Sequence, residues 1–246
     1  MTGPRSVTVQ DPALEALRAK VAEARDRLTG LAGFELLSTI IGDETVGKVA
    51  LVSSFGAESV ILLDMVARID HATPIIFLNT GKLFGATLAY REALVERFEL
   101  SDVRDRRPDL SDLRRHDPNG SLWSLDPDFC CHLRKTEPLD HALSGFDGWI
   151  TGRKRFQGEG REALPTVEGD AATGRLKFNP LATWSETDVS EYLSERNLPV
   201  HPMVDDGYRS ISCEPCTRPT KPGENARAGR WAWLDKSECG IHGEGI

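Results

Sequence analysis

The five cysteines constrain this chain more than any other feature. They fall as an adjacent pair, Cys130 and Cys131, a second pair spaced C-x-x-C, Cys213 and Cys216, and a lone Cys239. Eighty-one residues separate the two pairs. If the pairs act together, the fold must bring its C-terminal stretch back onto its middle. Four thiolates in two clusters suit a tetrahedral zinc ion or an iron–sulfur cluster. Adjacent cysteines are awkward ligands for one tetrahedral ion, whereas a cluster with several irons offers neighbouring thiolates different metal atoms. Buried free thiols are the plain alternative. The N-terminal residues show no apolar core after a basic start, so no secretory signal is expected. In a reducing cytosol, clustered thiols point to metal or catalysis rather than disulfides, and a cytoplasmic protein is expected.

Composition narrows the partners. With 246 residues, 39% of them hydrophobic and 28% charged, the chain can bury a core without covalent staples. A formal net charge of −8 argues against non-specific nucleic-acid binding, although a local basic pocket could hold an anion. No apolar run approaches the ~20 residues of a membrane span.

Hydrophobic periodicity gives the architecture. Residues 11–28 read as an amphipathic helix carrying Leu14, Leu17, Val21 and Leu28 near one face and stopped by Gly30. Thereafter short β-rich runs alternate with helices: a strand over 48–52, a helix over 59–69, a strand over 74–78, a helix to about Phe98, and a strand over 149–151 ending at Gly152. This alternation predicts an α/β fold, a doubly wound and mostly parallel sheet with its site at the carboxyl ends of the strands. Residues 185–197 predict one more helix with Ser185 as N-cap. Beyond it, 201–246 is rich in Gly, Pro, Arg and Trp with little periodicity, an irregular length that implies ordering by function. The expected division is an N-terminal helical segment, 1–45, an α/β nucleotide-binding domain, 46–200, and a C-terminal tail, 201–246, with the C-x-x-C pair and Cys239.

Four segments carry candidate chemistry. Ser53-Ser54-Phe55-Gly56-Ala57-Glu58-Ser59 joins a strand to a helix, and its small residues leave backbone N–H groups open to an anion at the helix N-terminus. It is not a Walker-type loop. Asn79-Thr80-Gly81-Lys82-Leu83, after the next strand, could line the same crevice and touch a nucleobase or ribose, but by itself it reads better as a plain turn. Cations gather at Arg134 and Lys135, at Arg153, Lys154, Arg155 and Arg161, and at Arg227 and Arg230. In an acidic protein, that placement suggests an anionic substrate such as a phosphate or sulfate. Finally Cys239, in Glu238-Cys239-Gly240-Ile241-His242, is placed as a nucleophile if its thiolate is stabilised; Glu238 works against this, while His242 or the arginines work for it.

Together these segments closely resemble the assimilatory adenylyl-sulfate reductases, relatives of phosphoadenylyl-sulfate reductase in the adenine-nucleotide α-hydrolase group. The matching residues are SSFGAES at 53–59, CCHLRKTEPL at 130–139, WITG at 149–152, Asn179-Pro180-Leu181, YRSISCEPCTRP at 208–219, RAGRW at 227–231 and ECGIH at 238–242. The resemblance implies thioredoxin-dependent reduction of adenosine 5′-phosphosulfate to sulfite and AMP, with thioredoxin or a glutaredoxin-like protein as donor. It makes Cys239 the nucleophile that forms an S-sulfocysteine, with His242 positioning the tail or the thiolate. Lys135, Arg161, Arg227 and Arg230 would hold phosphate and sulfate, while Ser53, Ser54, Gly56, Leu83 and Gly152 would line the nucleotide. Cys130, Cys131, Cys213 and Cys216 would carry one 4Fe–4S cluster per subunit. No nucleic-acid or membrane partner is implied, and a homo-oligomer stays open.

Two departures stand out. The family's usual Asp-Thr-Gly is Asn79-Thr80-Gly81 here, and its usual Gly-Leu-Arg-Arg-x-Gln-Ser is Gly152-Arg153-Lys154-Arg155-Phe156-Gln157-Gly158. The extra cation leaves a phosphoadenylyl-sulfate reductase as the nearest rival, since Arg153 and its neighbours could hold a 3′-phosphate. That branch typically lacks the four cluster cysteines. A sulfur-transfer enzyme acting on transfer RNA would want a basic stripe. A non-enzymatic iron–sulfur sensor would leave Cys239 and the arginines unexplained.

Overall fold

The computed structural model describes residues 11–158, 160–234, 236, 238–242 and 245–246. The opening stretch read for a secretory signal therefore lies largely outside the described residues, as does the start of the expected N-terminal segment. Helix α1 (Pro12–Arg27) begins at Asp11, whose carboxylate accepts from the Ala13 N–H at 2.9 Å. Pro12 occupies its first turn, and Gly30, at φ +79°, ends the run as expected. Leu17, Val21, Ala24 and Leu28 are buried. Helix α2 (Gly33–Ile40) follows; its short apolar run, GFELLSTI, showed too few turns to stand out by period.

The sheet is built from β1 (Val49–Ser53), β2 (Ile75–Leu78), β3 (Val103–Arg106), β4 (Gly148–Ile150), β5 (Val167–Asp170) and β6 (Arg175–Phe178), ordered β3-β2-β1-β4-β6-β5. Every pairing is parallel except β5 with β6. The expected doubly wound, mostly parallel sheet is therefore present. β1, β2 and β4 are near-continuous apolar runs because both their faces are covered. Ala50, Ile76 and Trp149 face one helical layer that includes α8 (Glu137–Leu143), through Leu139, Ala142 and Leu143. Leu51, Ile75, Phe77 and Ile150 face the other, with α1, α2 and α3 (Ser59–Asp70).

Chain order reverses at β1. The chain leaves it for β2 and β3 on one side and returns to β4 on the other. Such a switch point opens a crevice beyond the carboxyl ends of the two strands, here Ser53 of β1 and the Thr151-Gly152 step after β4. Helix α4 (Gly85–Arg97) links β2 to β3. Three short helices then lead down to the adjacent cysteines: α5 (Leu110–His116), α6 (Leu122–Leu125) and α7 (Pro127–Cys131). Helix α9 (Glu186–Glu195) has Ser185 as N-cap in a reciprocal capping box with Asp188. Among the described residues after 201, the helical elements are single turns, 202–204 and 214–216, as the composition implied.

Candidate active site

The crevice at the switch point is a pocket whose floor comes from the strand ends and whose roof comes from the tail. Ser53, Ser54, Gly56, Glu58 and Ser59 enter from the turn after β1, and Thr80 and Leu83 from the turn after β2. Gly152, Arg153, Lys154, Gln157 and Arg161 follow β4, and Lys135 rises from the helix below. The tail adds Ser210 to Ser212, Arg227, Arg230, Trp231, Glu238, Cys239 and His242. The expected catalytic and substrate-binding residues thus share one pocket: Cys239, His242, Ser53, Ser54, Gly56, Leu83, Lys135, Gly152, Arg161, Arg227 and Arg230.

The turn after β1 is shaped for close approach. Phe55 takes a left-handed conformation (φ +49°) while fully buried and packed edge-on against Phe77 at 5.3 Å. The Gly56 N–H donates to Ser59 Oγ at 2.9 Å. A side chain at Gly56 would sit 3.0 Å from the Ile211 carbonyl oxygen, so a tail residue lies directly against this turn. No side chain caps the start of α3, leaving its positive end open to an anion.

The cations divide into two sets. Lys154 is buried and donates to Glu58 Oε2 at 2.7 Å, beside Gln157 Nε2 at 2.8 Å from the same oxygen. Arg153 pairs with buried Glu168 and reaches Asn179 Oδ1 at 3.2 Å. Arg155 turns away to the Leu164 carbonyl, and Arg134 is buried against Asp117 and the Thr80 carbonyl. Of the cations the sequence gathers here, Arg134 and Arg155 thus have acceptors in the frame of the fold. Both serve the scaffold, because each lies within hydrogen-bond reach of a fixed acceptor there. Arg161 and Arg227 meet Glu238, and Arg230 stacks over Trp231 with its guanidinium 4.3 Å from the ring centre. Burial and the nearby Arg161 charge pull the Arg227 pKa down to about 10.

Lys135 stands between this pocket and a second, smaller cavity. Burial works against its charge, but the sulfurs of Cys213 and Cys239 outweigh that and raise its pKa. The same pairing works in reverse on Cys213, whose pKa is lowered although burial pushes it up. Lys135 Nζ also donates to Ser212 Oγ at 3.2 Å. The second cavity is lined by Cys130, Cys131, Cys213 and Cys216 with Lys82, Trp123, Arg134 and Lys135. All four cysteines are buried free thiols. Burial pushes Cys130 and Cys216 up to about 11.

Local geometry explains how distant cysteines meet. Cys130 and Cys131 close α7, and a π-helical turn (His132–Thr136) follows, carrying Arg134 and Lys135. Leu83 forms an isolated antiparallel bridge with Cys213, and the Glu214 N–H donates to the Lys82 carbonyl at 2.7 Å. Thr80 Oγ1 lies 3.2 Å from Cys213 Sγ. Among the described residues no group of three or more His, Cys, Asp or Glu is arranged to hold a metal ion.

The end of the tail is anchored separately. Trp149 and His242 stack at 5.7 Å with rings 3° from parallel. Burial, then the neighbouring Arg153 and Lys177 charges, hold His242 well below its ordinary pKa, so the ring is neutral. Its Nδ1 is buried without a partner among the described residues. Lys177, fully buried, donates to the His242 carbonyl at 2.9 Å. Gly169 and Ile246 exchange backbone hydrogen bonds of 3.0 Å, so the tail finishes beside β5.

Sequence reasoning left several pocket residues without a role. Glu58 and Trp231 lie inside quoted motifs, SSFGAES and RAGRW, and were legible there. Lys177, which lies in β6 outside the pocket lining and holds the His242 carbonyl, carried no signal, since a lysine in a short strand reads as surface.

The phosphoadenosine phosphosulfate reductase domain matches residues 48–219. A protein named adenosine 5′-phosphosulfate reductase from Mesorhizobium japonicum is 49% identical over 199 residues, 81% of this chain and 78% of that protein. A phosphoadenosine 5′-phosphosulfate reductase from Gloeobacter violaceus is 40% identical over 198 residues, 79% of this chain and 82% of that one. Among solved structures, phosphoadenylyl-sulfate reductase from Candida auris superposes with a TM-score of 0.69 at 24% identity, covering 80% of this chain and 96% of its own. That similarity speaks for the fold. With the family match spanning most of the chain and the sheet, the turns and the cysteines in place, this chain belongs to the phosphoadenosine phosphosulfate reductase family.

Proposed function

We propose that this chain reduces adenosine 5′-phosphosulfate to sulfite and AMP, with a thioredoxin or glutaredoxin-like dithiol as electron donor. The observation that carries this reading is the placement of Cys239 in one pocket with Lys135, Arg161, Arg227 and Arg230, beside the anion-accepting turn after β1. The thiolate of Cys239 attacks the sulfate sulfur. The bond from that sulfur to the AMP oxygen breaks, AMP leaves with the electron pair, and the arginines and Lys135 offset its growing negative charge. A donor thiolate then attacks Cys239 Sγ, sulfite departs with its electron pair, and the resulting mixed disulfide is resolved by the donor's second thiol. The two electrons come from thiols, leaving the donor as a disulfide. Neutral His242 holds the tail through Trp149 and is no proton donor in this scheme.

The four buried cysteines fit a 4Fe–4S cluster. They line one cavity together, and four thiolates are the donor set such a cluster takes. Bound there, the cluster would supply a fixed charge distribution and tie the tail to the π-helical turn. Binding must displace the protons that burial favours on Cys130 and Cys216. Five free thiols suit a reducing, cytoplasmic compartment.

The nearest alternative substrate carries a 3′-phosphate. Its expected cations, Arg153 and Lys154, already face Glu168 and Glu58, which favours the substrate lacking that group. Mixing the holoenzyme with adenosine 5′-phosphosulfate and no thiol tests the chemistry. One AMP per site and a sulfonate on Cys239 are expected, and reduced thioredoxin should discharge the adduct as sulfite. Cys239→Ser should bind nucleotide but form no adduct; turnover by that variant would refute the scheme.

A further inference from the structure

The residue before the nucleophile is in an unexpected place. Glu238 Oε1 accepts from Arg161 Nε at 2.9 Å and also from the terminal nitrogen of that guanidinium. Its other oxygen lies 3.1 Å from a terminal nitrogen of Arg227. One carboxylate therefore forks between the two arginines assigned to the substrate's anionic group. Among the described residues its side chain has no other polar partner.

Glu58, which lines the pocket, and Glu168, which pairs with Arg153 beside it, behave differently. Glu168 is buried and also accepts from Asn179, and Glu58 is shared between Lys154 and Gln157. Both are built into the frame. Glu238 rides on the tail with its side chain 38% exposed, whereas that of Arg161 is only 7% exposed. Both guanidiniums reach this one carboxylate, and a carboxylate presents the same paired oxygens as a phosphate or sulfate.

We propose that Glu238 is an internal counter-anion, occupying in the ligand-free site the seat that the substrate's phosphosulfate takes over on binding. The proposal deepens the function given above and rests on that reading for the substrate's identity. Substrate must displace the carboxylate, so Glu238 weakens affinity. Its departure also moves the residue adjoining Cys239, while His242 stays pinned by Lys177 and Trp149. Glu238 is thus a positioning residue that ties occupation of the arginine pair to the approach of the nucleophile.

The test is equilibrium binding by calorimetry at fixed ionic strength. Adenosine 5′-phosphosulfate is titrated on a Cys239→Ser background, and inorganic sulfate on the otherwise intact holoenzyme. Glu238→Gln should tighten both roughly fivefold, the scale of one partly exposed ion pair released. Glu224→Gln, which removes an acid paired with Arg218 outside the pocket, controls for net charge and should change neither. Sulfate affinity unchanged or weakened in Glu238→Gln would overturn the proposal, as would an equal gain in Glu224→Gln. If the sulfonucleotide binds no version of the protein while sulfate still tightens, the counter-anion stands and the substrate assignment falls.

Discussion

The floor and the roof of the pocket are held by different forces. The floor hangs from β1, β2 and β4, whose Leu51, Phe77 and Ile150 are essentially sealed from solvent among other apolar side chains. Among the described residues the roof has a smaller apolar cluster, Trp231 with Cys213 and Cys216 and Leu234 packed against them. It is ordered by Cys213 against Thr80 and Leu83, by Trp231 under Arg230, by Glu238 between two arginines and by Lys177 on a carbonyl. A hydrophobic floor is insensitive to ions and persists without ligand. A polar roof responds to each charge that enters or leaves. The division suits the proposed reaction, in which substrate enters, a tail cysteine reaches it, and a protein thiol later reaches that cysteine.

Damage to the floor should produce the largest effect. Phe77→Ala removes the ring packed against Phe55 and should lower stability by about 3–5 kcal/mol, read as a drop in melting temperature and loss of nucleotide binding together. A matched tail variant that destabilised as much would erase the distinction.

Acid should act next, at the seam between the regions. His201, at the start of the tail, is fully buried against α4; its Nδ1 accepts from the Met203 N–H, and its Nε2 lies 3.0 Å from Thr87 Oγ1. Burial lowers its pKa to about 4. An unfolded chain takes up this proton near pH 6.5, whereas the folded one does so only near 4. The stabilisation is therefore complete above pH 6.5 and is lost as pH falls through that window, on the order of 3 kcal/mol in all. Melting temperatures of wild type and His201→Gln should converge between pH 7 and pH 5, and parallel curves would contradict the assignment.

Lys177→Met should give the smallest effect on stability and the cleanest separation of floor from roof. Burial draws the Lys177 pKa down to about 8, yet the ammonium lies 3.8 Å from buried Glu168 and 4.0 Å from buried Asp170, so an apolar replacement leaves those carboxylates short of a cation and should lower the melting temperature, by less than Phe77→Ala does. Losing the hydrogen bond to the His242 carbonyl should slow adduct formation on the order of tenfold through misplacement of the tail. Nucleotide affinity should hold. An unchanged adduct rate would show that Trp149 stacking alone seats the tail.

What the sequence disclosed follows the same line. Strands buried on both faces and helices with strong caps were legible because periodicity and punctuation report burial directly. Strand β3, with Arg104, Asp105 and Arg106, was hidden because a sheet edge carries charge, and β5 and β6 because Glu168, Asp170 and Lys177 pair inside rather than outside. Within the site, motif residues were found through resemblance. The pairing of Glu238 with the arginines was not, since a sequence shows which charges exist but not which of them meet.

The link from Thr80 to Cys213 joins residues 133 positions apart. A chain emerging from the ribosome completes β1, β2 and the turn at 79–83 long before residue 213 appears, so the pocket remains unroofed through much of synthesis. During that interval Cys130 and Cys131 wait without their partners. Assembly of this site is therefore an end-of-synthesis event, and slowing translation past residue 131 should lengthen the time during which the first thiol pair is open to oxidants.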